Sequence, residues 1–304
     1  MVSYRLLSYQ SPTGPRSAVA VDGTVHDLAS ATGRADYGSM LGVLADWSSA
    51  HTALDTLASE VDGKSGMPLA DLRILAPVLY PSAIYCAGAN YSDHTANMAK
   101  LHNLPVDPDP RGPGKKPWHF IKASRCVVGP DAEVPLPCEK LDWEVELAVV
   151  IGETARNVPE SRALDVVAAY TAANDLSARD LSRRPGVSDA SPFKYDWIGQ
   201  KSFDGACPIG PWLVPAAEIA DPQRLALRLW VNDSLRQDSN TARMIFSVAE
   251  QIAYLSSRIT LYPGDVVLTG TPAGVGAETG VFLKRGDTVK ISVEKIGELV
   301  TTIT

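Results

Sequence analysis

Short runs in which apolar and polar residues alternate dominate this chain, and long amphipathic helical patterns are few. Tyr4-Arg5-Leu6-Leu7 and residues 17–21 read as strands. Asp22-Gly23, set between Val21 and Thr24-Val25, is a hairpin signal because both residues tolerate positive φ. Residues 38–57 carry a looser helical rhythm. Leu41, Leu44 and Ala45 fit an i, i+3, i+4 pattern, and Trp47, Leu54 and Leu57 follow less regularly.

Two prolines between Ala76 and Pro81 mark a boundary, so residues 1–75 form a small N-terminal domain and 76–304 a larger one. Residues 84–88 then read as a buried strand running into the polar segment Asn90-Tyr91-Ser92-Asp93-His94. Residues 105–117 are too rich in proline and glycine for a helix or a central strand. They read as an exposed loop suited to a lid. Further extended segments fall at 118–122, 143–151, 225–231 and 265–268. Val289, Ile291 and Val293 alternate with polar residues, and Gly297 turns the chain into a last hairpin strand, 299–303. Two helices are expected. One spans about Arg162 to Tyr170. The other follows Asn240-Thr241 as N-cap and carries Ile245, Val248, Ala249 and Ile252 at helical spacing. So many strands with so few helices indicate a mixed β-rich (α+β) sandwich or roll rather than a parallel α/β fold.

Composition adds exclusions. The 304 residues carry a net charge of -7, which disfavours a phosphate-backbone partner; the doublets Lys115-Lys116 and Arg183-Arg184 are too short for a nucleic-acid stripe. Cys86, Cys126, Cys138 and Cys207 form no CxxC pair and no zinc spacing, so they read as reduced thiols in a cytoplasmic protein. The N-terminus lacks a signal-peptide pattern and no apolar run is long enough to span a membrane. There is no GxGxxG after a strand and no P-loop, so nucleotide cofactors have no visible home.

The densest chemistry lies in Asp142-Trp143-Glu144-Val145-Glu146. Alternate strand residues share a face, so Glu144 and Glu146 point one way and Val145 and Leu147 the other. Such a pair is common on solvated strands. If buried, two anions side by side demand a cation, and a hard divalent ion with oxygen ligands (Mg²⁺, Mn²⁺ or Ca²⁺) answers that demand. A second string places Asp175 after a small-residue segment, with Arg179 four residues on, within reach of the same pocket in a helical turn. An Asp cap with a surface ion pair is the plainer reading.

Taken together, the runs GANYSDH (88–94), LDWEVELAVVIG (141–152), YTAANDLSARD (170–180), GQKSFDGACPIGPW (199–212), SNTARMIFSVAEQIAYLS (239–256) and LYPGDVVLTGTPAGVG (261–276) resemble the fumarylacetoacetate hydrolase superfamily, in its order. The resemblance implies a mixed β-sandwich roll with a small N-terminal domain, in a homodimer. It implies that Glu144, Glu146 and Asp175 hold one Mg²⁺ or Mn²⁺, leaving positions open for a small oxo-acid. Arg179 and Lys201 resemble the family's basic residues beside the substrate. Thr271 is similar to the residue that hydrogen-bonds the substrate carboxylate, and Asn90, Tyr91 and Ser182 join it as expected substrate contacts. His94 is similar to the lid histidine that acts as general base.

Two positions depart from the family pattern. Asn97 stands where many members have a Glu that pairs with the lid histidine, so this base is weaker or is helped by another group such as Asp93. Ser182 stands where several members have Gln. The implied reaction is hydrolysis of a C–C bond in an acylpyruvate- or fumarylpyruvate-type 2,4-dioxo acid. An oxaloacetate-type decarboxylase, an isomerase or hydratase of a ring-cleavage oxo-acid, and a catalytically silent metal-binding dimer are the alternatives.

Overall fold

The computed structural model describes residues 2–61, 66–101 and 103–304. Its spine is a twelve-stranded mixed sheet. Along its main path the order is Met67–Pro68, Thr24–Asp27, Gly14–Val21, Arg5–Ser11, Cys207–Pro215, Val167–Asn174, Val145–Ile151, Val266–Leu268, Ile84–Gly88 and Trp118–Lys122. Residues from the first 75 therefore join the same sheet, with Leu6 opposite Leu213. A second sheet of five strands, Ser234–Asn240, Ala226–Val231, Thr288–Val293, Gly297–Ile303 and Ala132–Val134, covers one side. Among the described residues no helix is long and apolar enough to cross a membrane.

The strand Val145–Ile151 shows how the layers are decided. Val145, Leu147, Val149 and Ile151 enter the core shared with Leu227, Leu229, Val289 and Ile291 of the second sheet. Ala148 and Val150 enter the opposite core, against Leu44, Trp47 and Leu54 of the N-terminal helices. Glu146 belongs to that second face but lies at the strand's first turn of register, opposite Ala173. Both faces are covered, so the strand reads as a nearly continuous apolar run.

The same physics corrects one expected helix. Residues 162–170 are not helical throughout: a 3₁₀ turn over Glu160–Val166 gives way to the strand Val167–Asn174, every residue of which is buried. A strand covered on both faces loses its period-two signature, and its four alanines imitate a helical composition. The later helix is present but starts further on. Asn240 caps only a 3₁₀ turn, Thr241–Arg243, while Ser247 forms a capping box with Glu250 and opens the helix Val248–Arg258. Ile245 lies before it. The stretch 105–117 carries no helix or strand, as its prolines require.

His119, on the strand Trp118–Lys122, packs against Tyr254 with ring centroids 6.1 Å apart, and among the described residues neither ring nitrogen has a hydrogen-bond partner. Burial pulls its pKa from an ordinary 6.5 down to about 4. Between those values the unfolded chain binds a proton that the folded chain refuses, so stability present above pH 6.5 drains away as the pH falls toward 4. A shift of this size corresponds to about 3 kcal/mol. His119→Phe keeps the stacked ring, and its urea midpoint is expected to fall less than the wild type's between pH 7 and 4.5. Parallel decline in the two proteins would refute this account.

Candidate metal centre

The middle of the sheet brings four chain segments to one end. Val145–Ile151 runs antiparallel to Val167–Asn174 and to Val266–Leu268, and the latter is parallel to Ile84–Gly88. The start of the first strand therefore meets the ends of the other three. That geometry places Glu144 and Glu146 beside Asp175, beside the loop 269–274, and beside the segment that leads to His94.

One ligand oxygen from each of Glu144, Glu146 and Asp175 lies within 4.8 Å of the others, and all three side chains are buried. Such a donor set, all carboxylate oxygen, is the chemistry a hard divalent ion takes. Lys201 Nζ donates to Glu144 Oε2 (2.9 Å) and Asp175 Oδ2 (2.7 Å). Arg179 donates to Glu144 Oε1 (2.5 Å) and to Asp142 Oδ2 (2.9 Å). Lys122, fully buried, donates to Asp175 Oδ1 and to the carbonyl of Leu176. Arg179 gets there through the short strand Ser177–Ala178 and a 3₁₀ turn, not through the helical turn its spacing suggested.

The charges do not balance. Asp142, Glu144, Glu146 and Asp175 face three cations, Lys122, Arg179 and Lys201. Burial works to raise the pKa of Glu144, but Lys201 and Arg179 outweigh it and hold the group below its usual range. Glu146 has the opposite fate. Burial first, then Asp175 and Glu144, push its pKa far up, and its hydrogen-bond donor is the Gly270 backbone N–H at 2.6 Å. An extra cation at this spot would remove that conflict, so the residues fit a divalent metal. Gly270 is required for the contact: its φ is +97°, and a Cβ there would meet Asn90 at 2.8 Å.

A cavity of about 150 Å³ opens on the cluster. His94, Glu144, Glu146, Arg179, Lys201 and Thr271 line it, with Gln200 and an aromatic wall of Trp118, Phe120 and Trp197. The Phe120 and Trp197 rings stack at 5.5 Å, and Lys201 Nζ sits 5.0 Å from the Phe120 centroid. Trp118 packs over Gly88, where a Cβ would lie 2.0 Å from the indole.

Asn90, Tyr91 and Ser182 do not line this cavity. Asn90 donates to the carbonyls of Phe246 and Thr269 and accepts from the Phe246 N–H, so it ties three segments together. The Tyr91 hydroxyl is buried without a partner, and Ser182 donates to the Arg179 carbonyl. Thr271 Oγ1 donates to the Val145 carbonyl and accepts from buried Gln237. Arg183 and Arg184 sit outside, on Asp189 and on the Phe193 carbonyl.

Several contributors escaped the sequence reading. Asp142 accepts the N–H groups of Gly276 (2.5 Å) and Ala277 (3.0 Å) while holding Arg179, so it fixes a loop and a cation together. Lys122, Gln200, Gln237 and Glu278 are others. Only the position of Lys122, polar within the otherwise apolar end of an apolar strand, could have signalled it. Asp93, considered as a helper of His94, instead accepts the backbone N–H groups of His94 and Ala273 and a bond from Arg243.

The family model described as fumarylacetoacetate hydrolase C-terminal matches residues 83–304. A human mitochondrial oxaloacetate tautomerase is 41% identical over 242 residues, covering 78% of this chain and 71% of that one. A maleylpyruvate hydrolase from Sphingobium, solved with manganese(II) and pyruvate, superposes with a TM-score of 0.74 at 28% identity, over 99% of this chain and 98% of that one. A 2-hydroxyhepta-2,4-diene-1,7-dioate isomerase from Mycobacterium marinum gives 0.70 at 29% identity, over 99% and 98%.

Proposed function

We propose that this chain, which belongs to the fumarylacetoacetate hydrolase family, is a divalent-metal-dependent enzyme that acts on a small 2-oxo dicarboxylic acid through its enolate, with oxaloacetate keto–enol conversion as the reaction. The observation that carries the reading is the cavity: about 150 Å³, lined by Glu144, Glu146, Arg179 and Lys201, with Asp175 buried beside the two glutamates. Pockets for drug-sized ligands measure roughly 300–1,000 Å³. A four-carbon oxo-acid suits this space.

Glu144, Glu146 and Asp175 would hold Mg²⁺ or Mn²⁺. When bound, the ion would supply Lewis acidity toward a 2-oxo carboxylate. The chain's own groups do the rest. Arg179 and Lys201 place positive charge where a carboxylate binds and where enolate charge develops. His94, at the cavity wall, moves the proton. Trp118, Phe120 and Trp197 supply an apolar wall beside the acid.

A second reading, hydrolysis of a C–C bond in a short acylpyruvate, draws support from the neighbour solved with manganese and pyruvate. His94 would then activate water. One panel separates the two. With Mn²⁺ the protein is expected to speed the loss of oxaloacetate enol absorbance at least about a hundredfold over the metal alone, and to release no pyruvate from acetylpyruvate. Pyruvate release without enol conversion would select the hydrolase reading. Activity on neither, with Mg²⁺ or Mn²⁺ bound, would sink both.

A further inference from the structure

We propose that the cleft between the loop 111–117 and the helix Val248–Arg258 is a second ligand site, built for a small organic anion with an apolar body. The cleft has a volume of about 480 Å³, against about 150 Å³ for the cavity at the acidic cluster, and it shares no lining residue with that cavity. Its size falls in the range of small-molecule sites. The strand Trp118–Lys122 separates the two. Alternate residues of a strand face opposite ways. Trp118 and Phe120 line the cavity, while His119 stacks on Tyr254, which lines the cleft.

Four cations line the cleft: Arg111, Lys115, Lys116 and Arg258. In a chain of net charge -7 that is a local reversal of sign. Two of the four are already paired. Arg111 donates to both carboxylate oxygens of Glu250 (2.6 and 3.1 Å) and to the Ile245 carbonyl (2.6 Å). Lys115 donates to both oxygens of Asp107 (2.6 and 2.5 Å). Among the described residues the Lys116 and Arg258 side chains have no carboxylate partner and no hydrogen-bond acceptor. Glu160 is the other carboxylate of the lining, and it is exposed. Two unpaired cations therefore face one carboxylate, which leaves a place for an anion.

The apolar half of the cleft comes from Phe246, Tyr254, Pro113 and Pro117. The Arg258 guanidinium lies over the Tyr254 ring, 5.2 Å from its centroid, so the cation rests on the apolar wall with its N–H groups unused. A carboxylate that reaches Arg258 and Lys116 thus lays the rest of its molecule on Tyr254 and the prolines. Arg111 ties the loop to Glu250 in the first turn of the helix, and the prolines restrict the loop backbone. The cleft is therefore formed before a ligand arrives, which lowers the cost of binding.

This inference does not rest on the reading of function above, and its test needs no turnover. Benzoate is the probe; acetate supplies the anion alone and benzyl alcohol the ring alone. NMR titrations use the full chain without added divalent metal, so that the acidic cluster does not compete, and a constant ionic strength, because exposed charges are screened by salt. Benzoate is expected to bind with a Kd of about a millimolar or tighter, and each control at least about tenfold more weakly. Lys116→Ala and Arg258→Ala, made together at two exposed positions, are expected to weaken benzoate at least about tenfold. The same change at the other arginine doublet, Arg183→Ala with Arg184→Ala, is expected to leave its Kd within about twofold. No benzoate binding overturns the proposal, as does benzoate binding no tighter than acetate or benzyl alcohol. So does wild-type affinity in the Lys116 and Arg258 variant, or equal weakening in the Arg183 and Arg184 variant.

Discussion

Glu146→Gln removes metal-dependent turnover, by about a thousandfold or more in kcat/KM, and leaves the metal-free fold intact. The size follows from losing one of three carboxylates that would hold an ion whose Lewis acidity is worth several kcal/mol in a transition state. The stability half of the expectation is less usual for a buried acid. Among the described residues Glu146 has no cationic partner of its own, and burial with two neighbouring carboxylates pushes its pKa far up. A raised pKa favours the neutral acid in metal-free protein, and Gln is a near copy of that form. The Gly270 N–H keeps its acceptor. Unfolding of the metal-free variant is therefore expected within about 1 kcal/mol of wild type. Mn²⁺ at a hundred times its dissociation constant is expected to stabilise the wild type by about 2.7 kcal/mol and the variant by much less. A variant that loses several kcal/mol without metal would show that Glu146 is a structural residue. One that keeps full Mn²⁺ stabilisation would remove it from the metal site.

Lys122→Met has the opposite profile: it is expected to cost about 3–5 kcal/mol in metal-free protein, as removal of one member of a buried ion pair does. Lys122 is fully buried, donates to Asp175 Oδ1 and the Leu176 carbonyl, and lies behind the cavity rather than in it. Met fills the space of the stem but offers no cation. Among the described residues Asp175 then keeps only Lys201 as an ion-pair partner. Since a bound divalent ion would return a positive charge to Asp175, saturating Mn²⁺ is expected to recover more stability in the variant than it adds to the wild type. Urea unfolding of both proteins, with and without Mn²⁺, measures this. Equal metal increments in the two would show that Lys122 and the metal do not share Asp175.

Set against Glu146, Lys122 separates two kinds of buried charge. One is balanced by partners already in the chain and contributes to folding. The other is left unbalanced for a ligand. Neither kind is visible from residue type: Glu146 and Lys122 are both charged residues within β-prone runs.

The sequence by itself determined many of the strands, though not Val167–Asn174, Cys207–Pro215 or Ser234–Asn240, together with the hairpins at Asp22-Gly23 and Gly297 and the shared face of Glu144 and Glu146. These follow from side-chain alternation and turn chemistry within a few residues. It also carried the family through motifs spread over residues 88–276. The sequence misled where local pattern and environment part company. Residues 167–170 look helical because both faces of that strand are buried, and Arg179 looked like one turn of a helix beyond Asp175 when the short strand Ser177–Ala178 joins them and Arg179 itself opens a 3₁₀ turn.

Only the tertiary structure decided whether the paired glutamates were solvated or buried, and it buried them. It also withdrew Asn90 from the expected contacts into a bracing role, and brought Gln200 to the cavity where Ser182 is absent. Above all it supplied Glu278 as the partner of His94 from 184 residues away. Spacing in the chain reports which side chains share a helix turn or a strand face. It is silent on a carboxylate delivered by another loop, because that proximity is set by which strands lie side by side in the sheet.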